Sequence, residues 1–349
     1  MSVTLQHVAL EAGVSLYTAS CALRGAGRVA PATAQRVREV AVRLEYTPHS
    51  AARLLRNSAK RSRALERQIR IAWLHFLPRT DYIENKATLF VQQARRRGFD
   101  AEVFRWVEHD PDCLGRMLWT QGFQGIVVDA QRYTENDLPK TIARFPWDKF
   151  AAIKLTRGLD ELELPVVRVS AFESMLRCLE TAAVRGYRRI GVVRSPSSSR
   201  IDDQARLGAI LSFRASHEAA GGEVQSFDAP SLSPSHQLPA GMTRWLSAYR
   251  PEALIAFPAG WILRFLELGY RFPQDMGFAS AEVPRTLVGF KTICSGVGSD
   301  FATHLAPTLI DSLEFELLQR GHGQRAEWVE RLLHLPWQEG DTLPWRQQG

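Results

Sequence analysis

The sequence predicts an all-α helix-turn-helix head, followed by an α/β core of two doubly wound parallel-sheet subdomains. Three observations lead to this prediction. The first 48 residues contain three short helical patterns with glycine at the breaks between them. Positive charge is concentrated in the first 70 residues. From residue 69 onward, short apolar runs alternate with amphipathic helical patterns.

The first two helices are predicted from their caps and from the spacing of their apolar residues. Thr4 is placed to cap a helix that Gly13 ends, and Ser15 is placed to cap a second helix over residues 16–24. A helix-turn-helix needs such a short turn, and its second helix reaches the major groove of DNA. The outward side of that helix is predicted to hold Leu16, Tyr17, Ser20, Cys21 and Arg24.

A third helix begins at Pro31, which suits the first position of a helix, and runs to about residue 46 with its apolar positions turned inward. Three short helices then form one small core. The turn by itself leaves a second interpretation open, a three-helix bundle that binds protein.

Charge favours the nucleic-acid interpretation. Residues 1–70 hold twelve lysines and arginines against four glutamates and no aspartate, a net charge of +8. The other 279 residues are nearly balanced, with 32 basic and 33 acidic side chains. A cationic surface confined to one end of the chain is what release of counterions from phosphates requires.

Residues 49–56 form a short helix candidate after Pro48, too short to be stable alone, since isolated helices below roughly 12 residues are marginal in water. Leu54 and Leu55 lie between Arg53 and Arg56. This pattern suits a helix in a minor groove, with a leucine wedged between base steps and the arginines on phosphates. A plain linker helix is the alternative.

Residues 3–56 strongly resemble the lac repressor (LacI/GalR) family of bacterial transcription regulators. The resemblance rests on Val3-Thr-Leu, Ala12-Gly-Val-Ser, Tyr46, Pro48 and Ala52-Arg-Leu-Leu-Arg56. It implies that the second helix reads the major groove, that the later segment is a hinge helix ordered by operator DNA, and that Leu55 intercalates. The DNA-binding set expected on these grounds is Thr4, Ser15, Leu16, Tyr17, Ser20, Cys21, Arg24, Arg28, Thr33, Tyr46, His49, Arg53, Leu55 and Arg56.

Two positions depart from the family pattern. Cys21 stands where the family usually has arginine, and Arg24 stands where it usually has asparagine. Because arginine reads guanine bidentately and cysteine does not, we expect an operator different from the family's usual one. Arg24 and Arg28 are candidates for replacement base contacts, or for phosphate contacts alone.

The core alternates strands and helices twice over. Predicted strands cover 69–76, 101–106, 125–129, 150–155, 189–194, 223–227 and 253–257, with helices between them. Open α/β sheets bind ligands beyond the carboxyl ends of their strands, so a cleft between the two halves is the expected ligand site.

The core resembles, more weakly, the type I periplasmic-binding-protein-like effector domain of the same family. Gly186-Tyr-Arg-Arg-Ile-Gly-Val-Val and Leu268-Gly-Tyr-Arg-Phe-Pro-Gln-Asp-Met match its scaffold segments. The family's ligand-binding Asn-Asp and Asp-Asp pairs read Pro258-Ala259 and Ala279-Ser280 here. Arg206 matches the effector-contacting arginine, with a surface ion-pair role as the alternative.

We therefore expect that the effector is not a typical free sugar bound through paired carboxylates, or that the pocket has decayed and the domain mainly dimerises. Aromatic rings near strand ends suit stacking on a ring ligand, although core packing is expected for most of them. The candidate effector-binding residues are Trp73, Asp129, Arg206, Phe257 and Trp261.

The sequence gives little support to catalysis, a metal or a membrane. Residues 195–199, with Asp202 and Asp203 nearby, are typical of a polar loop after a strand, and no glycine-rich phosphate loop is present. The four cysteines show no metal or disulfide spacing, which favours a reduced bacterial cytoplasm, with the protein on the nucleoid. No apolar run reaches 18 residues. We expect no enzyme activity, no cofactor and no membrane partner.

The predicted domains are a DNA-binding head (1–48), a hinge and linker (49–68), an effector-binding and dimerisation core (69–340) and a tail (341–349), with the chain crossing between subdomains near 155–170 and 290–300. No heptad of leucines ends the chain, which favours a homodimer over a tetramer. The predicted function is a sequence-specific transcription regulator, a repressor on a near-palindromic operator under small-molecule control. The alternatives are a small-molecule receptor with a protein-docking head and a non-specific architectural DNA-binding protein.

Overall fold

The computed structural model describes residues 5–24, 29–44, 69–76, 81–106, 109–129, 142–156, 158–159, 162–197, 199–230, 238–239, 241–284, 293–319, 323–324, 327 and 329–346. The chain divides into two compact units, residues 1–68 and 69–349. The first is the helical head and the second is the core.

The head consists of α1 (Leu5–Glu11), α2 (Leu16–Arg24) and α3 (Pro31–Arg43), as the sequence predicts, with the third helix ending three residues earlier than expected. Small apolar side chains from all three helices form its core. These are Val8, Ala9, Ala12, Ala19, Ala22, Val37, Val40 and Ala41. Because alanine and valine dominate, the helices approach closely and leave the longer side chains at the surface.

The turn between α1 and α2 depends on Gly13, whose φ of +63° lies in the left-handed region that glycine enters without strain. The N–H of Val14 donates to the carbonyl of Ala9 at 3.0 Å, which closes a Schellman motif. Ser15 then begins α2, since its Oγ accepts the N–H of Thr18 at 3.0 Å. The predicted helix-turn-helix is confirmed.

The N-terminal subdomain of the core is a six-stranded parallel sheet in the order β11-β5-β4-β3-β1-β2. Its strands are β1 (Arg70–His75), β2 (Asp100–Arg105), β3 (Phe123–Asp129), β4 (Ala151–Leu155), β5 (Val166–Val169) and β11 (Glu330–Leu333). Its helices are α4 (Asp81–Arg96), α5 (Pro111–Thr120) and α10 (Ala306–Gln319), with a 3₁₀ turn at Trp147–Lys149. Apolar clusters cover both faces of the sheet, as parallel sheets require.

The C-terminal subdomain repeats this plan with the order β12-β10-β9-β8-β6-β7, in which only the pairing of β12 with β10 is antiparallel. Its strands are β6 (Arg189–Arg194), β7 (Glu223–Asp228), β8 (Ala253–Phe257), β9 (Gly277–Pro284), β10 (Ser295–Ser299) and β12 (Trp337–Gln338). Its helices are α6 (Ala171–Val184), α7 (Arg200–Ala219), α8 (Met242–Tyr249) and α9 (Trp261–Glu267). The prediction of two doubly wound subdomains is confirmed.

The chain passes between the subdomains after β5, after β10 through a π-helix at Phe301–Leu305, and between β11 and β12. These crossovers place the carboxyl ends of β5, β10 and β11 at the junction. Residues 341–346, predicted as part of a tail, instead pack into the C-terminal subdomain, because Thr342 and Leu343 are fully buried and Thr342 Oγ1 bridges Ser295 and Phe278.

Candidate functional site

The outward face of α2 is the candidate nucleic-acid interface of the head. Leu16 is 52% and Tyr17 is 76% exposed, and Ser15 is also exposed. Ser20 is half-buried on the same helix, and Thr33 is half-buried on α3. An exposed Leu-Tyr pair at the start of a short, well-capped helix is an apolar and aromatic surface that a groove or a partner would cover.

The prediction that Cys21 lies on the reading face is wrong. Its side chain is only 5% exposed, as is common for cysteine, which packs like a small apolar residue. A thiol in this position is closed to base edges.

Several predicted DNA contacts lie outside the described residues. These are Thr4, the side chain of Arg24, Arg28, Tyr46, His49, Arg53, Leu55 and Arg56. The described part of the head adds three exposed arginines on α3, Arg36, Arg38 and Arg43. Arg43 forms an ion pair with Glu11 of α1 at 2.9 Å, and both side chains are solvent-exposed.

The candidate effector site of the core lies where the strand order reverses. When the six strands of each sheet are numbered in chain order, their spatial order is 2-1-3-4-5-6 in both sheets, so ligands are expected beyond the carboxyl ends of the first and third strands. At that point His75 of β1 is in register with Asp129 of β3 in the N-terminal subdomain. Arg194 of β6 is in register with Phe257 of β8 in the C-terminal subdomain.

Asp129 is buried and paired. Its side chain is 1% exposed, and one carboxylate oxygen lies 2.7 Å from Nζ of Lys86 on α4, itself 5% exposed. A buried ion pair of this kind is strongly destabilised when one partner is removed, because the other charge is left uncompensated. A ligand reaches the Asp129 carboxylate only if it also satisfies Lys86, a residue that the sequence did not single out.

Arg206, a predicted effector-binding residue, is buried and in contact with other side chains. It is 8% exposed on α7, its Nη1 lies 3.0 Å from Asp203, and its guanidinium carbon lies 3.5 Å from the ring centroid of Phe257. Burial lowers the pKa of Arg206, against the opposing effect of the carboxylates of Asp202, Glu282 and Asp203. The structure therefore brings together Arg206 and Phe257, two of the five predicted effector residues.

Trp73 and Trp261 belong to the packed interior. Trp73 is fully buried against Phe90 and Phe301, with ring centroids 4.8 and 5.9 Å away. Trp261 is 2% exposed and donates its Nε1–H to Ser195 Oγ at 2.8 Å. Strand alternation turns Trp73 toward α4 and the π-helix, so a ring ligand would meet neither tryptophan without a change in packing.

Glu282 is a carboxylate that the sequence analysis missed. It is half-buried near the carboxyl end of β9, beyond the pairing with β8, and lies close enough to Arg206 to affect the pKa of that arginine. The residues at the family's Asp-Asp positions, Ala279 and Ser280, are fully buried. The period-two alternation of β9, read beyond Ser280, would have placed Glu282 at the strand end.

Asp202 and Asp203 lie in the first turn of α7. Ser199 Oγ accepts the N–H of Asp202 at 3.2 Å, so the segment predicted as a polar loop ends in a helix cap. Within the part of the chain that the structure describes, no group of three or more His, Cys, Asp and Glu residues is arranged to hold a metal ion. Over the same residues, every helix is too short or too polar to cross a lipid bilayer.

Comparison with known proteins gives one family match and many structural matches. The sequence model described as "Bacterial regulatory proteins, lacI family" matches residues 4–49. No curated protein sequence is significantly similar to the chain.

Two solved structures with a similar fold match nearly the whole chain. The Lac repressor dimer bound to operator and the anti-inducer ONPF is 18% identical with a TM-score of 0.55, covering 99% of this chain and 100% of its own. The transcriptional regulator CelR in complex with cellobiose is 19% identical with a TM-score of 0.55, covering 97% and 99%.

A periplasmic binding protein/LacI transcriptional regulator from Alkaliphilus metalliredigens, complexed with D-xylulofuranose, matches the core. It is 11% identical with a TM-score of 0.56, covering 78% of this chain and 98% of its own. These likenesses show the fold. The family match shows a lacI-type helix-turn-helix head over residues 4–49, and the structural matches show that a core with the periplasmic-binding-protein-like fold follows it.

Proposed function

We propose that the chain is a transcriptional repressor that binds a near-palindromic operator as a homodimer and responds to a small molecule through its core. The observation that carries the proposal is the exposed face of α2, which the Gly13 turn and the Ser15 cap hold in a fixed position within the head. The +8 charge of residues 1–70 supports a phosphate backbone as the partner.

The proposed mechanism uses the two subdomains as a two-state element. The state of the cleft sets the spacing of two hinge helices, one from each protomer, and ordered hinges dock both heads on the operator. Two-fold symmetry of the protein is then mirrored in the DNA. A ligand shifts this equilibrium only by its differential affinity for the two cleft states.

The effector is proposed to differ from a free sugar bound through paired carboxylates. Two of the structural relatives were solved with cellobiose and D-xylulofuranose. In this chain Ala279 and Ser280 stand at the family's carboxylate positions, and Arg206 is already engaged by Asp203 and Phe257. A core that has lost its pocket and mainly dimerises is the second candidate, since the buried Lys86–Asp129 pair closes the other strand end. We place the protein in the bacterial cytoplasm, on the nucleoid.

The test is the discrimination between a duplex recovered from a random library and a scrambled duplex of the same length, measured at fixed salt with the full-length protein. We expect Tyr17→Ala to reduce discrimination by roughly tenfold or more, since a base contact contributes about 1–3 kcal/mol. Val42→Ala changes an equally exposed apolar residue on α3, at 79% exposure, and serves as the matched control. Equal losses from the two variants would show that the α2 face does not read sequence.

A further inference from the structure

A buried ion pair joins the two subdomains directly. Arg168 lies on β5, the strand from which the chain enters the C-terminal subdomain, and its side chain is 11% exposed. Its Nη1 donates to Oδ1 of Asp202 on α7 at 2.6 Å, and its Nε donates to Glu330 on β11. One guanidinium therefore holds two strands of the first subdomain and one helix of the second.

Asp202 lies in a tightly fixed turn. Its N–H is capped by Ser199 Oγ, and the neighbouring Asp203 accepts the N–H of Ser197 with both oxygens, at 3.1 and 3.0 Å. Arg206 follows one turn later and pairs with Asp203 at 3.0 Å. Because residues three and four apart share one face of a helix, these side chains move together when the start of α7 moves.

We propose that Arg168 is a positioning residue for the effector site: it holds the first turn of α7 through Asp202, and so couples the relative position of the two subdomains to the orientation of Arg206. This inference rests on the proposed effector function and names the device by which that site is regulated. A ligand that draws Arg206 away from Asp203 and Phe257 must move the first turn of α7, which Arg168 holds in place through Asp202.

The charges around Asp202 support an Arg168–Asp202 ion pair that separates as a unit. Burial raises the pKa of Asp202, while Arg168 and Arg206 lower it and Glu330 raises it. Among the residues that the structure describes, these three groups, on β5, α7 and β11, are the charges that affect the pKa of Asp202. Because a buried charge without its partner is strongly unfavourable, separation of the subdomains at this point requires Asp202 to gain water.

The experiment measures the distance between the subdomains in the full-length protein, without DNA or effector. Cys113 in the N-terminal subdomain is exposed, whereas Cys21, Cys178 and Cys294 are buried, so one spin label goes on Cys113 and a second on Ser247→Cys of α8, an exposed position. Labelled protein is diluted into unlabelled protein so that only pairs within one chain contribute. Hydrogen exchange of residues 199–206 is followed in parallel.

We expect Arg168→Gln to increase the population of long distances by roughly tenfold or more and to speed exchange in the first turn of α7, since a tenfold change needs only about 1.4 kcal/mol and a buried hydrogen-bonded charge pair resists separation by more. Arg168→Lys should restore part of the effect, because lysine keeps the charge but not the two-sided fork. Arg70→Gln, which breaks the pairs with Asp100 and Glu102 inside the N-terminal subdomain, is the matched control.

Acidification provides a second readout that a merely structural brace would not give. Because the pKa of Asp202 is raised in the closed state, mainly by burial, protonation favours that state; the long-distance population of the wild type should therefore shrink as the pH falls through the range in which Asp202 titrates, and Asp202→Asn should remove that dependence. The proposal is overturned if Arg168→Gln matches the wild type in distances and exchange, or if Arg70→Gln shifts both equally. If Arg168→Gln fails to fold, the isosteric Asp202→Asn decides by the same criteria. Neither measurement involves DNA. A negative result for Arg168 therefore does not contradict the proposed regulator function, and a failure to bind operator does not contradict the proposed role of Arg168.

Discussion

At the scale of single residues, a few side chains determine what each site is able to bind. Gly13 permits the left-handed turn that presents α2, and substitution by a residue with a Cβ would introduce strain of about 1 kcal/mol or more. In the core, the guanidinium of Arg206 has one face on Phe257 and one edge on Asp203. An arginine that is already stacked and paired has little capacity left for a sugar hydroxyl.

We predict that the full-length protein, titrated calorimetrically with a panel of mono- and disaccharides, gives dissociation constants no tighter than about 1 mM. The reason is the absence of the family's paired carboxylates and the internal engagement of Arg206. The matched variants are Arg206→Ala, Phe257→Ala and Trp261→Ala. Tight binding of a sugar that Arg206→Ala abolishes, while the aromatic substitutions leave it unchanged, would contradict this account.

At the scale of elements, the amino ends of the C-terminal strands are tied to the end of the chain. Glu252, just before β8, accepts the N–H groups of Arg188 and Arg189 at 2.7 and 3.1 Å and pairs with Arg346 at 2.8 Å. Burial raises the pKa of Glu252, but the hydrogen bonds from Arg346, Arg189 and Arg188 outweigh it, and the net shift is downward. A lowered pKa in the folded state stabilises the protein above the unfolded-state value and ceases to do so as the pH falls through the folded value.

We therefore predict that Glu252→Gln lowers the free energy of unfolding at neutral pH by about 1–3 kcal/mol, the usual loss when a buried hydrogen-bonded group is removed. The difference in the free energy of unfolding between Glu252→Gln and the wild type should shrink as the pH falls toward about 4, where carboxylates titrate. Urea denaturation at the two pH values measures it. Glu223→Gln alters an exposed carboxylate at the start of β7 and should have little effect at either pH. A loss for Glu252→Gln that is independent of pH would point to packing instead of charge.

The sequence predicts those helices and strands that have a local pattern of apolar residues. The strands β1 to β4 and β6 to β8 are predicted within a few residues, because each is a short apolar run beside a helical pattern, whereas the four-residue strand β5 (Val166–Val169) is missed. The strands β9 to β12 were not predicted, since Gly277–Pro284 and Ser295–Ser299 are built from small residues, and β11 and β12 depend on partners far away in the chain. Cys21 was misplaced because a thiol gives no pattern that separates surface from interior.

The candidate sites also divide into features with a local sequence signal and features without one. The exposed face of α2 follows from caps and periodicity, which are local. The pairs Lys86–Asp129 and Arg168–Asp202 join residues 43 and 34 positions apart in sequence, across different elements, so no spacing rule reveals them. Long-range electrostatic partners need the tertiary structure.

At the scale of the whole molecule, the chain combines a helix-turn-helix head with a core of two doubly wound subdomains. The central claim is sequence-specific recognition of DNA by a two-fold assembly. A protein-docking head would bind DNA weakly and without salt dependence, and an architectural protein would bind with strong salt dependence but without a preferred sequence.

The measurement that separates these three outcomes is selection of bound DNA from a random duplex library with the full-length protein, at two salt concentrations and without ligand, wild type beside Leu55→Ala. We predict a near-palindromic motif whose central base step matters for the wild type and no longer matters for Leu55→Ala. Salt-sensitive retention of DNA with no motif, or no retention at all, would contradict the account.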